Sequence, residues 1–388
     1  MQLIIVLSRR VQSVSESATV SSSTRAAAMR ESGKTIINFG VGEPDFTTPI
    51  EEIEFAFEKA KSGSTHYTPS AGYKELREGI AAKVNAGKHN LKMGNVLVTS
   101  TKFAINLSVM ALADEGDEII IPEPYFLSYP EICKIYGVKP VSVLSKDDFS
   151  LDIEGIESAI TPKTRAIIIS NPSNPTGKVY SINEMKALQK LCLERDIYFI
   201  CDQIYEELVY EGQMFDIMDM DKDLSRTILI SGFSKSYAMT GWRVGYMAAS
   251  TELIAAINKL QQQTVTCAPS ISQMAAIYAL NDLKSPREMR EVFRKRRDLV
   301  VSLMKEIPNI HLFVPQGAFY VFPAYDLNIS SISLSNEMLE NKGVLITPGS
   351  VFGDQGEKHF RLSYALSDES IKKGIELIGK FFSEQGKI

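Results

Sequence analysis

Little in this chain points to a metal centre, a disulfide scaffold or a membrane. Its 388 residues include four scattered cysteines, Cys133, Cys192, Cys201 and Cys267, with no CxxC pair. That pattern argues against a zinc site or a disulfide framework and fits a reducing cytoplasm. The four histidines form no metal-ligand spacing. No apolar run approaches the ~20 residues that a membrane helix needs. The apolar opening, Met1 to Leu7, is followed at once by Ser8-Arg9-Arg10. A secretory leader has its basic residues first and an apolar run of roughly 7–15 residues after them, so no leader is expected. A net charge of −5 gives no electrostatic reason to bind nucleic acid or an anionic membrane. The expectation is a soluble, cytoplasmic protein.

What is present is a repeated alternation. Short Val/Ile/Leu runs span Val96 to Thr99, Glu118 to Pro122, Ala166 to Ser170, Tyr198 to Cys201 and Thr227 to Ser231. Unbroken apolar runs of this length suit strands buried on both faces, as in a parallel sheet. Amphipathic stretches lie between them. In Ser181 to Asp196, Met185, Leu188, Leu191 and Cys192 recur at helical spacing, and Ser181 with Glu184 reads as a capping box. The fold class expected is α/β, with a mostly parallel sheet flanked by helices over residues 48–285. From residue 286 the texture changes. A long charged helix, Pro286 to Ile307, precedes short strand-like runs at Phe319 to Phe322 and Val344 to Ile346, then a helix from Asp368 to Phe382. A smaller α+β domain over 286–388 follows. Residues 1–47 fit neither pattern.

In a parallel α/β sheet, ligands bind beyond the carboxyl ends of the strands. Asn171-Pro172-Ser173-Asn174-Pro175-Thr176-Gly177 follows one run; Asn174 would sit on a rigid loop, although such a turn is also chosen for shape alone. Asp202 and Tyr205 follow another. A buried carboxylate needs a partner, either a helix start that it caps or a cationic ring nitrogen. Gly232-Phe233-Ser234-Lys235 follows a third, with Arg243 eight residues on. A desolvated lysine makes a Schiff-base nucleophile, and a guanidinium suits a phosphate. The bland reading is a snorkelling lysine and a structural arginine. Ser100-Thr101-Lys102 follows the first run and opens a helix, whose free N–H groups favour an anion. Each signal is weak alone. Together they supply a phosphate seat, a ring-nitrogen partner, a phenol, an amide and an aldehyde-trapping lysine, the parts that pyridoxal 5′-phosphate (PLP) requires. Gly40-Val41-Gly42 lacks the third glycine of a dinucleotide fingerprint.

At these residues the chain resembles the class I aminotransferases of PLP fold type I, closest to bacterial and archaeal aspartate aminotransferases. The resemblance rests on Ser8 to Val11, Gly42-Glu43-Pro44-Asp45-Phe46, Tyr67 with Gly72, Asn171 to Gly177, Asp202 to Glu206, Ser234-Lys235 through Gly245, and Phe360 to Tyr364. It implies that Lys235 forms the Schiff base with PLP and shuttles protons, and that Asp202 pairs with the ring nitrogen. Tyr205 and Asn174 would bond the ring oxygen, and Phe126 would stack on the ring. Thr101, Lys102, Ser234 and Arg243 would surround the phosphate, and Tyr67 would reach the phosphate of a neighbouring subunit in a homodimer with shared sites. Arg361 would clamp the substrate α-carboxylate beside Gly42 and Asn174. Residues 1–47 would form an arm and part of the small domain. Gly232 replaces a serine common in relatives, so Ser231 or Ser234 is expected to substitute. The implied reaction moves an amino group from an L-amino acid, aspartate first, to a 2-oxo acid such as 2-oxoglutarate. Alanine or aromatic specificity, or β-lyase chemistry on the same scaffold, is the alternative. For a dicarboxylic substrate, Lys102 is the candidate second cation, with Ser17-Ala18-Thr19 as a covering segment. Prephenate is not expected as a main substrate, because Ser15 stands where prephenate-using relatives carry lysine.

Overall fold

The computed structural model describes residues 7–16 and 18–385. Its central sheet has seven strands: β1 (Val96–Thr99), β2 (Glu118–Glu123), β3 (Lys139–Leu144), β4 (Thr164–Ser170), β5 (Tyr198–Asp202), β6 (Thr227–Gly232) and β7 (Gly245–Ala248). They lie in the order β1-β7-β6-β5-β4-β2-β3. Neighbours are parallel except at β7, which runs antiparallel to both β1 and β6. The five expected strands are all present. β3 and β7 carried no apolar-run signal. β3 is an edge strand whose residues are all exposed or half-buried, and β7 is four residues long and begins with glycine.

The long apolar runs have a simple cause. Successive side chains in a strand point to opposite faces. Ile119, Ile121, Ile168, Ile200, Ile228 and Met247 join one core. Ile120, Ile167, Ile169, Phe199, Cys201 and Leu229 join another. Helices cover both faces, so neither face can be polar. Helix α1 (Thr101–Leu112) follows β1 directly, and α2 (Ile182–Glu194) lies between β4 and β5. The capping box forms as expected: Glu184 N donates to Ser181 Oγ at 3.2 Å, and Ser181 N donates to Glu184 Oε2 at 2.8 Å.

Beyond the sheet, α3 (Lys284–Met304) and α4 (Asp368–Gln385) enclose a further core with Phe293, Phe319, Tyr320, Phe360 and Phe381. Against them lies a three-stranded antiparallel sheet: Tyr320–Val321, then Phe360–Ser363, then Thr347–Pro348. The N-terminal strand Ile37–Asn38 pairs in parallel with Val344–Leu345, and Phe39 enters the same core. A helix over Ala18–Glu31 has no counterpart in the sequence reading, because its Ser- and Thr-rich sequence shows no clear apolar face. The result that matters for chemistry is positional. β1, β4, β5 and β6 end on one edge of the sheet, and antiparallel β7 begins there.

Candidate active site

That edge opens into a cavity of about 320 Å³. Of the twelve residues singled out from sequence, eleven line it: Gly42, Thr101, Lys102, Phe126, Asn174, Asp202, Tyr205, Ser234, Lys235, Arg243 and Arg361. Tyr67 does not; it is 87% exposed on the surface.

At one end of the cavity, β1 hands over to α1. Ser100 sits at the N-cap in an extended conformation, and its side chain caps nothing. The first N–H groups of α1 are therefore open to a ligand, and the helix dipole favours an anion there. Gly232 and Gly245 face each other across the β6–β7 ladder. A Cβ at Gly245 would come within 2.6 Å of Thr101 Oγ1, and one at Gly232 within 2.9 Å. The bare backbone at both positions is what lets Thr101 and the start of α1 press against the sheet edge. Ser234 lines the cavity, but Ser231 does not. Ser231 is fully buried and its Oγ donates to Glu206 Oε1 at 3.0 Å, so of the two serines expected to substitute at Gly232 only Ser234 is available. Arg243 holds a left-handed backbone (φ 56°), and its Nη1 donates to Thr240 O at 2.8 Å. The neighbouring Trp242 is tied off by its Nε1 donating to Thr48 Oγ1 at 3.0 Å, so it packs rather than faces the cavity.

Lys235 follows β6, and its Nζ donates to Gly42 O at 2.6 Å. Burial pulls its pKa down to about 8, with Arg243 and Arg361 adding to the shift against Glu43 and Asp202. Asp202 ends β5. Its Oδ1 accepts from Ile204 N at 3.1 Å and its Oδ2 from the Tyr129 hydroxyl at 3.0 Å. Burial raises this carboxyl to about 6, despite those two bonds and the nearby Lys235. Phe126 forms a wall of the cavity and packs edge-on against Tyr129, with ring centroids 5.5 Å apart. The Lys102 ammonium lies 5.5 Å from the centre of the Phe126 ring.

Arg361 rises from the middle strand of the small sheet and is 2% exposed. Its Nη1 donates to Asn174 Oδ1 at 3.0 Å, and its Nη2 to Gly40 O at 2.8 Å. Its Nε is buried with no partner among the described residues. The guanidinium stacks 4.5 Å from the centre of the Tyr320 ring. No carboxylate of the described residues pairs with it, a costly arrangement unless an anion completes it.

Cavity residues with polar roles that were not found from sequence include Tyr129, Tyr320 and Thr240. Tyr320 had one faint signal, a phenol inside the apolar run Ala318 to Phe322, which needs a hydrogen-bond partner when buried. Ser17 and the side chains of Ala18 and Thr19 lie outside the described residues. Among the described residues, no cluster of His, Cys, Asp and Glu is placed to hold a metal ion. No helix among them is long and apolar enough to cross a membrane.

A lysine amine poised near 8, an open helix N-terminus with a cation beside it, and a buried carboxylate facing the same cavity are the features of a PLP-binding site. The comparisons agree. The profile of the aminotransferase class I and II family matches residues 34–378. A probable aspartate/prephenate aminotransferase of Aquifex aeolicus is 39% identical, covering 97% of this chain and 99% of its own length. The aspartate aminotransferase of Bacillus subtilis is also 39% identical, covering 97% and 98%. The solved aspartate aminotransferase of Thermus thermophilus with maleate superposes with a TM-score of 0.92 at 35% identity, covering 97% and 100%. The chain belongs to the class I and II aminotransferases. Its cofactor is PLP, its reaction is amino-group transfer, and its fold is the mostly parallel α/β sheet of fold type I.

Proposed function

We propose that this enzyme takes the amino group of a dicarboxylic L-amino acid, aspartate first, and passes it to 2-oxoglutarate in two half-reactions. The observation that carries the reading is a pair of cations in one cavity, Arg361 for the α-carboxylate and Lys102 for a second carboxylate. A solved relative that holds maleate, itself a dicarboxylate, supports it. Ser15 is exposed and its backbone N donates to Glu131 Oε2 at 2.7 Å. No third cation stands at that position, so prephenate is not proposed.

Bound at Lys235, PLP supplies an electron-withdrawing ring that acidifies the α-hydrogen of the amino acid. The chain's own residues do the rest. The N–H groups of Thr101 and Lys102, with Ser234 and Arg243, hold the phosphate. Asp202 pairs with the ring nitrogen and keeps it protonated, while Tyr129 and Ile204 hold the carboxylate in place. Tyr205 and Asn174 would bond the ring oxygen, and Phe126 would cover the ring. Arg361, braced by Asn174 and Gly40, fixes the substrate carboxylate. With a pKa near 8, Lys235 can both take up the α-proton and return it at neutral pH. We propose a cytoplasmic homodimer in which the exposed Tyr67 serves the partner's phosphate. We also propose a large domain over 48–285 and a small one over 286–388 joined by part of 1–47, a division supported by the Ile37–Asn38 pairing with Val344–Leu345.

Lys102→Ser tests the substrate reading. It should lower kcat/KM for aspartate by about tenfold to a hundredfold, the value of a charge-assisted contact. Alanine and aromatic amino acids, with no second carboxylate, should hardly change. If every substrate falls together, Lys102 serves the cofactor or the fold. If the unaltered enzyme never prefers aspartate to alanine, the dicarboxylate assignment is wrong.

A further inference from the structure

Tyr205 and Tyr320 place their hydroxyl oxygens 2.8 Å apart in the cavity wall. They come from distant parts of the chain, Tyr205 from the turn after β5 and Tyr320 from the small sheet. Both are buried, at 4% and 1% exposure. Among the described residues, each hydroxyl is the other's only hydrogen-bond partner. Their rings meet edge to face, with centroids 5.7 Å apart and planes at 82°. The geometry around Tyr320 is tight. A Cβ on Gly42 would approach its hydroxyl to 2.8 Å, and Arg361 stacks on its ring. The Tyr320 hydroxyl thus has little freedom to leave Tyr205.

A phenol has one proton and can donate only once. If Tyr205 gives its proton to an oxygen anion in the cavity, the 2.8 Å contact survives only with Tyr320 as the donor and Tyr205 as the acceptor. We infer that Tyr320 is a positioning residue that fixes the direction of the Tyr205 hydroxyl, so that the single Tyr205 proton points at the ring oxygen of PLP. The inference rests on the placement of Tyr205 proposed above. Tyr320 acts only through Tyr205. Its ring, not its hydroxyl, is what Arg361 uses, so the two duties separate in a Tyr320→Phe variant.

The consequence is spectroscopic. A hydrogen bond to the ring oxygen anion stabilises the unprotonated form of the Lys235-linked cofactor. Weakening that donor should raise the pH at which the cofactor takes up a proton and changes its visible absorption. The test uses PLP-loaded Tyr320→Phe, Tyr205→Phe and the double variant, with the absorption midpoint and the PLP dissociation constant as readouts. Tyr320→Phe should raise the midpoint by about half a unit to one unit, the worth of one neutral hydrogen bond. Tyr205→Phe should raise it further, and the double variant should match Tyr205→Phe alone. The Tyr320→Phe dissociation constant for PLP should rise modestly, and its KM for the amino acid should stay near the original. An unmoved midpoint in Tyr320→Phe beside a shifted one in Tyr205→Phe overturns the inference and leaves the placement of Tyr205 standing. Additive shifts in the double variant overturn it too, because Tyr320 would then act independently. If neither single variant moves the midpoint, the placement of Tyr205 fails and the inference falls with it.

Discussion

A side-chain amine that titrates near 8 is a base, an acid and a nucleophile within the physiological range. Lys235 reaches that state because burial strips water from it while Arg243 and Arg361 oppose its charge. Removing the amine should separate holding the cofactor from using it. Lys235→Ala is expected to abolish transamination while leaving a folded protein that still binds PLP through α1, Arg243 and Asp202. Steady-state assay gives the first result, and dialysis against free PLP followed by a visible spectrum gives the second. Turnover near the original would remove Lys235 from the chemistry. Burial at this scale works in both directions. The same dry wall that lowers Lys235 raises Asp202 to about 6, bringing a base and an acid closer together than their free forms would be.

At the scale of elements, the proposed phosphate seat is a junction of three: the end of β6, the start of β7 and the first turn of α1. Its geometry depends on two facing glycines, and a methyl group at Gly245 would lie 2.6 Å from Thr101 Oγ1 and 2.8 Å from Ser231 O. Gly245→Ala should push the first turn of α1 outward and weaken PLP binding by about tenfold or more, the cost of disturbing charge-assisted bonds. Gly241→Ala, where an added Cβ meets nothing within 4 Å, is the matched control. Equal PLP affinities in equilibrium titration would show that the close packing does not seat the phosphate. The elements were legible for a related reason. β2, β4, β5 and β6 are dry on both faces, so sequence alone marks them, and the polar residues just after them mark the cavity. β3 is half-exposed and β7 is short, so neither leaves an apolar run. Tyr129 and Tyr320 escaped because their importance is purely tertiary. Nothing near Tyr129 in sequence announces Asp202, and nothing near Tyr320 announces Tyr205. Ser231 illustrates the converse, since its place beside Gly232 suggested the cavity while its side chain turned to Glu206.

Across the whole molecule, one buried charge stands apart from the catalytic edge. Glu52, on the helix Ile50–Lys61, is fully buried, and among the described residues no group donates a hydrogen bond to either carboxylate oxygen. Burial, helped by the carboxylate of Asp282 just before α3, raises it from 4.5 to about 7. The folded protein therefore holds this proton more tightly than the unfolded chain. Its contribution to stability is fully present below pH 4.5 and is lost as pH rises towards about 7. Glu52→Gln, neutral at every pH, should flatten that part of the stability curve and raise Tm more at pH 8 than at pH 5. Thermal melts at the two pH values measure the difference, and an equal change at both would mean that Glu52 is ionised without penalty. Arg361 and Lys102 illustrate another kind of separation. The proposed α-carboxylate receptor stands on a small sheet built from residues 320–363, whereas the proposed second cation stands on the first turn of α1. On that proposal, one recognises what every amino acid has and the other what only some have. Selection can therefore rewrite the diet of this scaffold at a single helical turn, leaving untouched the grammar by which it reads any amino acid at all.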